Sequence, residues 1–158
     1  MQKLFDAIKK QNIESAARIV QLYPESLDVK DTRGFTPLIM ASYTGNHQIT
    51  NLLLDRGADI EGRDAAGNTA LIGVAFKGHT EIASILLLRG ADVNAVNNLG
   101  ASALIYAAQF GQSKIVDMLL THGADIHQSD SEQKTALDYA KIQGHKVLEE
   151  KLSELVSS

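Results

Sequence analysis

The sequence contains no cysteine. This absence excludes a disulfide framework, a thiolate zinc site, a cysteine nucleophile and a thiol-based redox switch. Two prolines and 12 glycines among 158 residues are too few for a collagen-like or low-complexity chain. A hydrophobic fraction of 44% with 22% charged residues is instead typical of one ordinary globular domain.

Basic charge and long apolar runs are also scarce. The chain has 15 basic and 19 acidic residues, a net charge of −4, which disfavours nucleic-acid binding. The longest aliphatic run, residues 85–88, is far shorter than the roughly 20 residues that a membrane-spanning helix needs. Charged residues also interrupt positions 1–10, where a signal peptide would carry its apolar block. We therefore expect a cytoplasmic protein that binds neither nucleic acid nor a membrane.

The sequence repeats with a period of 33 residues in three separate registers. The first is a hydroxyl residue followed by Pro or Ala and then Leu, at residues 36–38, 69–71, 102–104 and 135–137. The second is a single glycine, at Gly45, Gly78, Gly111 and Gly144. The third is the triplet Gly-Ala-Asp, at residues 57–59, 90–92 and 123–125. Because the three registers share one period over most of the chain, this repeat organises the fold.

Each unit predicts two short helices and a turn. The hydroxyl of Thr36 can accept a hydrogen bond from an otherwise unpaired N–H, which begins a first helix that runs to about residue 44. Gly45 ends that helix, and apolar residues at helical spacing then indicate a second one. The glycine of the Gly-Ala-Asp triplet closes the second helix. The turn-rich stretch that begins at Asp31 and its equivalents predicts a tight hairpin tip.

These motifs resemble the ankyrin repeat, and the resemblance covers nearly the whole chain. It implies an all-α solenoid of stacked helix-turn-helix units with short β-hairpin or turn tips, since one unit cannot bury its apolar face alone. We expect about five repeats in a single domain. They are an N-terminal capping repeat, three full repeats and a C-terminal capping repeat, at residues 1–30, 31–63, 64–96, 97–129 and 130–158.

The first and last units carry many charged residues, among them Lys9, Lys10, Glu149 and Glu150. A stack of repeats needs polar outer faces at its two ends. These units therefore predict caps, and we expect a complete small protein.

The chain departs from the family pattern at the residue after the Thr-Pro-Leu motif. The family has a histidine there, whose ring ties adjacent turns by hydrogen bonds. This chain has Ile39, Ile72, Ile105 and Asp138. We expect apolar packing by the isoleucines to replace the histidine network.

The residues show no pattern that indicates catalysis or a bound cofactor. His79 and Glu81 lie close together, but the repeat places His79 at a helix–helix turn. His122 and His127 lie five residues apart across a glycine turn, so no helix face pairs them. Residues 73–80 mimic a phosphate-binding loop, yet a histidine replaces the required lysine and the segment falls within a predicted helix. We expect a protein that is not an enzyme and holds no cofactor or metal.

In ankyrin proteins generally, a concave face made by the tips and first helices binds other proteins. In this chain the residues at those positions differ between units while the framework repeats. Several are large apolar side chains, which are typical anchors of interfaces. The expected protein-binding residues are Arg33, Phe35, Tyr43, Arg63, Asn68, Phe76, Lys77, Leu99, Gln109 and Phe110.

The alternative is that these side chains belong to the core. A shift of one residue in helix register would turn Phe76 or Phe110 inward. Tyr106 and Tyr139 share the helix position of Met40 and Gly73, which lies nearer the core. For these two tyrosines packing is the favoured role.

The leading hypothesis is a non-catalytic scaffold or adaptor, a monomer that holds a protein partner on its concave face. A stoichiometric inhibitor or immunity-type protein that occludes a toxin or enzyme is an open alternative, since the chain resembles compact bacterial ankyrin proteins. A small-molecule or metal sensor built on the histidines is a further alternative. So is modification of Asn94, which resembles the ankyrin asparagine that hydroxylases modify.

Overall fold

The computed structural model describes residues 2–158. In this range the chain forms ten α-helices in five consecutive pairs. The first helices of the pairs are α1 (Gln2–Lys9), α3 (Pro37–Tyr43), α5 (Ala70–Lys77), α7 (Ala103–Gln109) and α9 (Ala136–Ile142). The second helices are α2 (Ile13–Leu22), α4 (His47–Asp55), α6 (Thr80–Leu88), α8 (Ser113–Thr121) and α10 (Lys146–Ser157). A 3-10 helix, Pro24–Asp28, follows α2.

The helices stack in two layers. The first helices pack in the order α1, α3, α5, α7, α9, and the second helices in the order α2, α4, α6, α8. One continuous apolar core runs between the layers, because every pair contributes buried Leu and Ala residues to it and the first four pairs also contribute buried Ile. The predicted all-α solenoid is therefore confirmed. None of the helices in residues 2–158 has the length and apolar character that crossing a membrane requires.

The first helices begin where the hydroxyl residues predict. The side-chain oxygens of Thr36, Thr69, Ser102 and Thr135 accept hydrogen bonds from the backbone N–H three residues later, at 3.1, 3.3, 3.3 and 3.3 Å. Each bond satisfies one of the N–H groups that the start of a helix leaves without a partner.

The residues that replace the family histidine take two roles. Ile39, Ile72 and Ile105 are buried in the core, so the expected apolar packing is confirmed. Asp138 instead accepts hydrogen bonds from the backbone N–H and the hydroxyl of Thr135, which completes a capping box at the start of α9.

The tips between the helix pairs are closed turns. The backbone N–H of the first tip residue donates to the carbonyl four residues later in all four tips, which begin at Asp31, Asp64, Asn97 and Asp130. In residues 2–158 the only β-pairing is two isolated bridges, Val96 with Ser102 and Ser129 with Thr135. The tips are therefore turns more than hairpins.

Backbone hydrogen bonds join each tip to the next. The N–H of Ala65 donates to Arg33, at 3.4 Å, and that of Asn98 to Ala66, at 3.0 Å. The N–H of Ser131 donates to the carbonyl of Leu99, at 2.9 Å. These bonds fix the tips in register, so that tip residues and first-helix residues of neighbouring repeats line one face.

Candidate functional site

An aromatic pair lies exposed where α5 and α7 end. The ring centroids of Phe76 and Phe110 are 4.6 Å apart with an angle of 66° between their planes. Phe76 also makes an edge contact with Tyr106 on α7, at 6.1 Å. The exposed fractions of Phe76 and Phe110 are 41% and 44%. The two rings thus pack against each other at the surface and do not turn inward into the core.

A second aromatic pair lies one repeat earlier. The rings of Phe35 and Tyr43 are 5.9 Å apart. The guanidinium of Arg33 stands 4.2 Å from the centroid of Phe35, and the ammonium of Lys77 stands 5.1 Å from that of Tyr43. Both distances suit cation–π attraction. Phe35 is also partly buried against the core, so its ring packs against the core as well as facing this surface.

A cavity of about 210 Å³ lies between the two aromatic pairs. It is bounded by tip residues and by first-helix residues of three successive repeats. The lining residues are Phe35, Ile39, Tyr43, Asp64, Asn68, Thr69, Ile72, Gly73, Phe76 and Tyr106. A larger hollow of about 400 Å³ beside α1 is more polar and has one aromatic residue, Phe5, in its wall. The cavity between the aromatic pairs is therefore the better candidate site.

Gly73 opens the cavity. It lies on α5 at the helix position that Met40, Tyr106 and Tyr139 occupy in the other repeats. A Cβ atom added to Gly73 would approach only Tyr43 Cδ2, at 3.5 Å, which is an ordinary van der Waals distance. The missing side chain therefore leaves a space that the neighbouring rings border but do not fill.

The first residue of each tip is a hydrogen-bonding centre. Burial raises the pKa of the Asp31 carboxyl, but hydrogen bonds from the backbone of Phe35 and from Arg33 outweigh burial, so the net pKa is lowered. Burial likewise raises the pKa of Asp130, and hydrogen bonds, first that of the Tyr139 hydroxyl, bring it below its ordinary value. The same bond, together with burial, raises the pKa of Tyr139 to about 12.

Five of the expected binding residues therefore border or adjoin the cavity as aromatic or amide groups, and two more, Arg33 and Lys77, stack on its rings. The five are Phe35, Tyr43, Asn68, Phe76 and Phe110.

The structure does not bring the other three expected residues to the cavity. Arg63 is exposed, but its guanidinium donates to the carbonyls of Gly67 and Val96 and so joins two tips. Leu99 is 62% exposed at the following tip. The carbonyl of Gln109 accepts a hydrogen bond from His145, at 3.0 Å, and its side chain is half-buried.

Several cavity residues were missing from the expected site. They are Ile39, Asp64, Thr69, Ile72, Gly73 and Tyr106. One feature of the sequence indicates the cavity. Gly73 stands at a helix position that carries Met40 or a tyrosine in the other full repeats and the last repeat. Tyr106 packs as expected against its surroundings, but one side of its ring also forms cavity wall.

Two of the five histidines link neighbouring repeats. His79 and His145 bond to backbone carbonyls of the preceding repeat. In the part of the chain that the structure describes, no three His, Asp or Glu side chains stand where they could share a metal ion.

Stacked helix pairs with linked tips and an aromatic face define a repeat solenoid. A family model described as ankyrin repeats, in three copies, matches residues 4–97 and 74–153. The chain belongs to the ankyrin repeat family. Ankyrin repeats are generally protein–protein interaction modules. No curated protein matches the chain.

Proposed function

We propose that this protein is a non-catalytic interaction module that holds one protein partner on the face formed by its tips and first helices. The observation that carries the proposal is the exposed pair Phe76 and Phe110 beside an open, aromatic-walled cavity. We further propose that it acts as a monomer in the cytoplasm, with capping repeats at residues 1–30 and 130–158.

The cost of exposing this surface supports the proposal. Folding does not require two phenylalanine rings at the ends of α5 and α7 to stay in water, since their burial would be favourable. Contiguous exposed apolar patches are rare on monomeric proteins and mark interaction sites. Aromatic side chains next to a pocket are also the usual centre of an interface, with a charged rim around them. Arg33 and Lys77 supply such a rim here.

The titrating groups support a non-catalytic role. The pKa shifts of Asp31, Asp130, Lys134 and Tyr139 arise from burial and from the hydrogen bonds and charges of neighbouring residues, most of which hold the tips together. Hydrogen bonding of this kind stabilises turns and needs no catalytic explanation.

The test is affinity capture from lysate of the native host, read by mass spectrometry. Wild type is compared with the triple variant Tyr43→Ala/Phe76→Ala/Phe110→Ala. The matched control removes three exposed apolar side chains elsewhere, as Leu22→Ala/Leu88→Ala/Val147→Ala. Circular dichroism must first show that both variants are folded.

We expect a protein that wild type and the control variant capture in equal amounts and that the aromatic variant loses. Equal capture by all three would overturn the proposed face. Loss by the control variant alone would move the interface to the second helices. Light scattering of the wild-type protein tests whether it is a monomer. A concentration-dependent dimer that the aromatic variant abolishes would show that the face binds a second copy of the chain.

A further inference from the structure

In two repeats, a tyrosine on the first helix bonds the residue that begins the tip nine positions earlier. The side-chain amide of Asn97 donates to the hydroxyl of Tyr106, at 2.9 Å. The hydroxyl of Tyr139 donates to Oδ2 of Asp130. In both tips Oδ1 of the first residue accepts two backbone N–H groups of its own turn. The other polar atom of that side chain, Nδ2 of Asn97 or Oδ2 of Asp130, is thus left to bond the tyrosine hydroxyl.

The repeat that begins at Asp64 has the same tip without the tyrosine. Oδ1 of Asp64 accepts from the backbone N–H groups of Ala66 and Asn68, both at 2.9 Å. Nine positions later stands Gly73. Oδ2 of Asp64 is met, among residues 2–158, only by the side-chain amide of Asn68, at the long distance of 3.3 Å. The cavity lies where the tyrosine ring is missing.

In the tip that begins at Asp31, other residues occupy the positions of the tyrosine ring and its hydroxyl. The guanidinium of Arg33 donates to Oδ2 of Asp31, at 3.0 Å, and Met40 is buried at the helix position of the tyrosines. Of the four tips, the one at Asp64 therefore combines a carboxylate that lines the cavity with an open space for a ring.

We propose that this cavity receives a tyrosine side chain of the protein partner, with Oδ2 of Asp64 accepting a hydrogen bond from the tyrosine hydroxyl. This inference rests on the proposed function, because it names the group by which the partner is held. The ring would lie between Tyr43 and Tyr106 and against Ile72. Its hydroxyl would meet the first tip residue, as the hydroxyls of Tyr106 and Tyr139 do in the next two repeats.

The chemistry of the cavity favours tyrosine over other side chains. A phenylalanine ring would cover the Asp64 carboxylate and leave its Oδ2 with only the long bond from Asn68, and a covered acceptor that is poorly paired is costly. A lysine or arginine would approach Arg33 and Lys77, which already stack on the cavity rings. A phosphorylated tyrosine would bring its negative charge against Asp64.

Folding does not explain the glycine. Gly73 lies within α5, where glycine is less favourable than alanine, and a Cβ atom there would make only ordinary contact with Tyr43. Gly73 weakens its helix, and no steric clash forces a glycine there. A cavity that receives a partner's side chain, however, needs the space that this glycine leaves open.

The first test titrates two amino-acid analogues into ¹⁵N-labelled protein and follows amide shifts by NMR. The analogues are N-acetyl-tyrosinamide and N-acetyl-phenylalaninamide, with 4-methylphenol as a free phenol. The titrations are repeated on Gly73→Tyr, which fills the cavity from within, and on Gly73→Met, which copies the repeat of Met40 in case the tyrosine variant does not fold.

We expect N-acetyl-tyrosinamide to shift the amides of Asn68, Gly73 and Phe76. Its affinity should exceed that of the phenylalanine analogue roughly fivefold, the value of one hydrogen bond. The filled variants should lose the shifts. Equal binding of both analogues, or no shift at these amides, would overturn the inference. Much tighter binding of 4-methylphenol than of N-acetyl-tyrosinamide would overturn the assignment to a partner and indicate a small phenol.

A second test needs no ligand. Gly73→Tyr should unfold at a higher urea concentration than Gly73→Phe, because only tyrosine can donate to Asp64. An equal or lower midpoint would contradict the proposed hydrogen bond. Failure of the inference is separable from failure of the proposed function. If the analogues do not bind but the triple alanine variant still loses its partner, the proposed binding face is supported and the proposed tyrosine contact is wrong.

Discussion

Nε2 of His79 donates a hydrogen bond to the backbone carbonyl of Tyr43, at 2.9 Å. This bond joins the N-terminal cap of α6 to the last residue of α3 in the preceding repeat. It satisfies a carbonyl that the end of a helix leaves without an intrahelical partner. His145 and Gln109 repeat the relationship two units later, at 3.0 Å.

We predict that His79→Ala lowers the free energy of unfolding by about 1 kcal/mol, because the Tyr43 carbonyl loses its donor. Urea denaturation followed by circular dichroism measures the effect. His127→Ala is the matched control, since the His127 ring is exposed, and it should leave the unfolding free energy almost unchanged. Equal losses in the two variants would show that the bond contributes nothing specific.

The bond between Tyr139 and Asp130 predicts a pH dependence. Folding raises the pKa of Tyr139 from 10.0 to about 12, so the folded state holds the phenol proton more tightly. The contribution of this bond to the free energy of unfolding is fully present below pH 10 and is lost as the pH rises towards 12. Tyr139→Phe should therefore cost about 1 kcal/mol at neutral pH, and the difference from wild type should shrink above pH 10.

Urea denaturation of wild type and Tyr139→Phe from neutral to alkaline pH measures this difference. Tyr23→Phe is the control, because Tyr23 is exposed and its replacement should change the unfolding free energy little. A gap for Tyr139→Phe that stays constant to alkaline pH would contradict the raised pKa.

The repeat made the framework predictable. A hydroxyl residue at Thr36 and its equivalents predicts the start of each first helix, and the caps are found there. The pattern predicts that α3, the first helix of the first full repeat, runs to about residue 44, and the helix ends at Tyr43. These features depend on neighbours within a few positions, so a local pattern is sufficient to fix them.

The cavity and the links between repeats were not predictable in the same way. Gly73 is visible in the sequence, but a void exists only because Tyr43 and Tyr106 border the space without filling it. The stacking of Lys77 on Tyr43 depends on rotamers of long exposed side chains. His79 was placed correctly at its turn, yet its acceptor lies 36 residues away along the chain.

Two glycines on and after α5 should respond oppositely to alanine. Gly73→Ala should raise the free energy of unfolding by about 0.5–1 kcal/mol, because helix propensity improves and the new methyl group has room. Gly78 has a φ of +83°, and a Cβ atom there would lie 2.6 Å from the Gln112 side chain. Gly78→Ala should therefore lower the unfolding free energy. Urea denaturation of both variants tests the pair, and a loss in Gly73→Ala would mean that folding itself requires that glycine.

The contact between Phe76 and Phe110 should be measurable as a coupling energy. With ring centroids 4.6 Å apart, the two single alanine variants and the double variant should give a favourable coupling of about 0.5–1.5 kcal/mol in unfolding free energy. The control cycle pairs Phe76→Ala with Leu22→Ala on α2, where effects should add. A coupling near zero for the phenylalanine pair would mean that the rings do not pack together in solution. The partner would then have to order them on binding, which lowers affinity, whereas a coupled pair presents an anchor that is already in place.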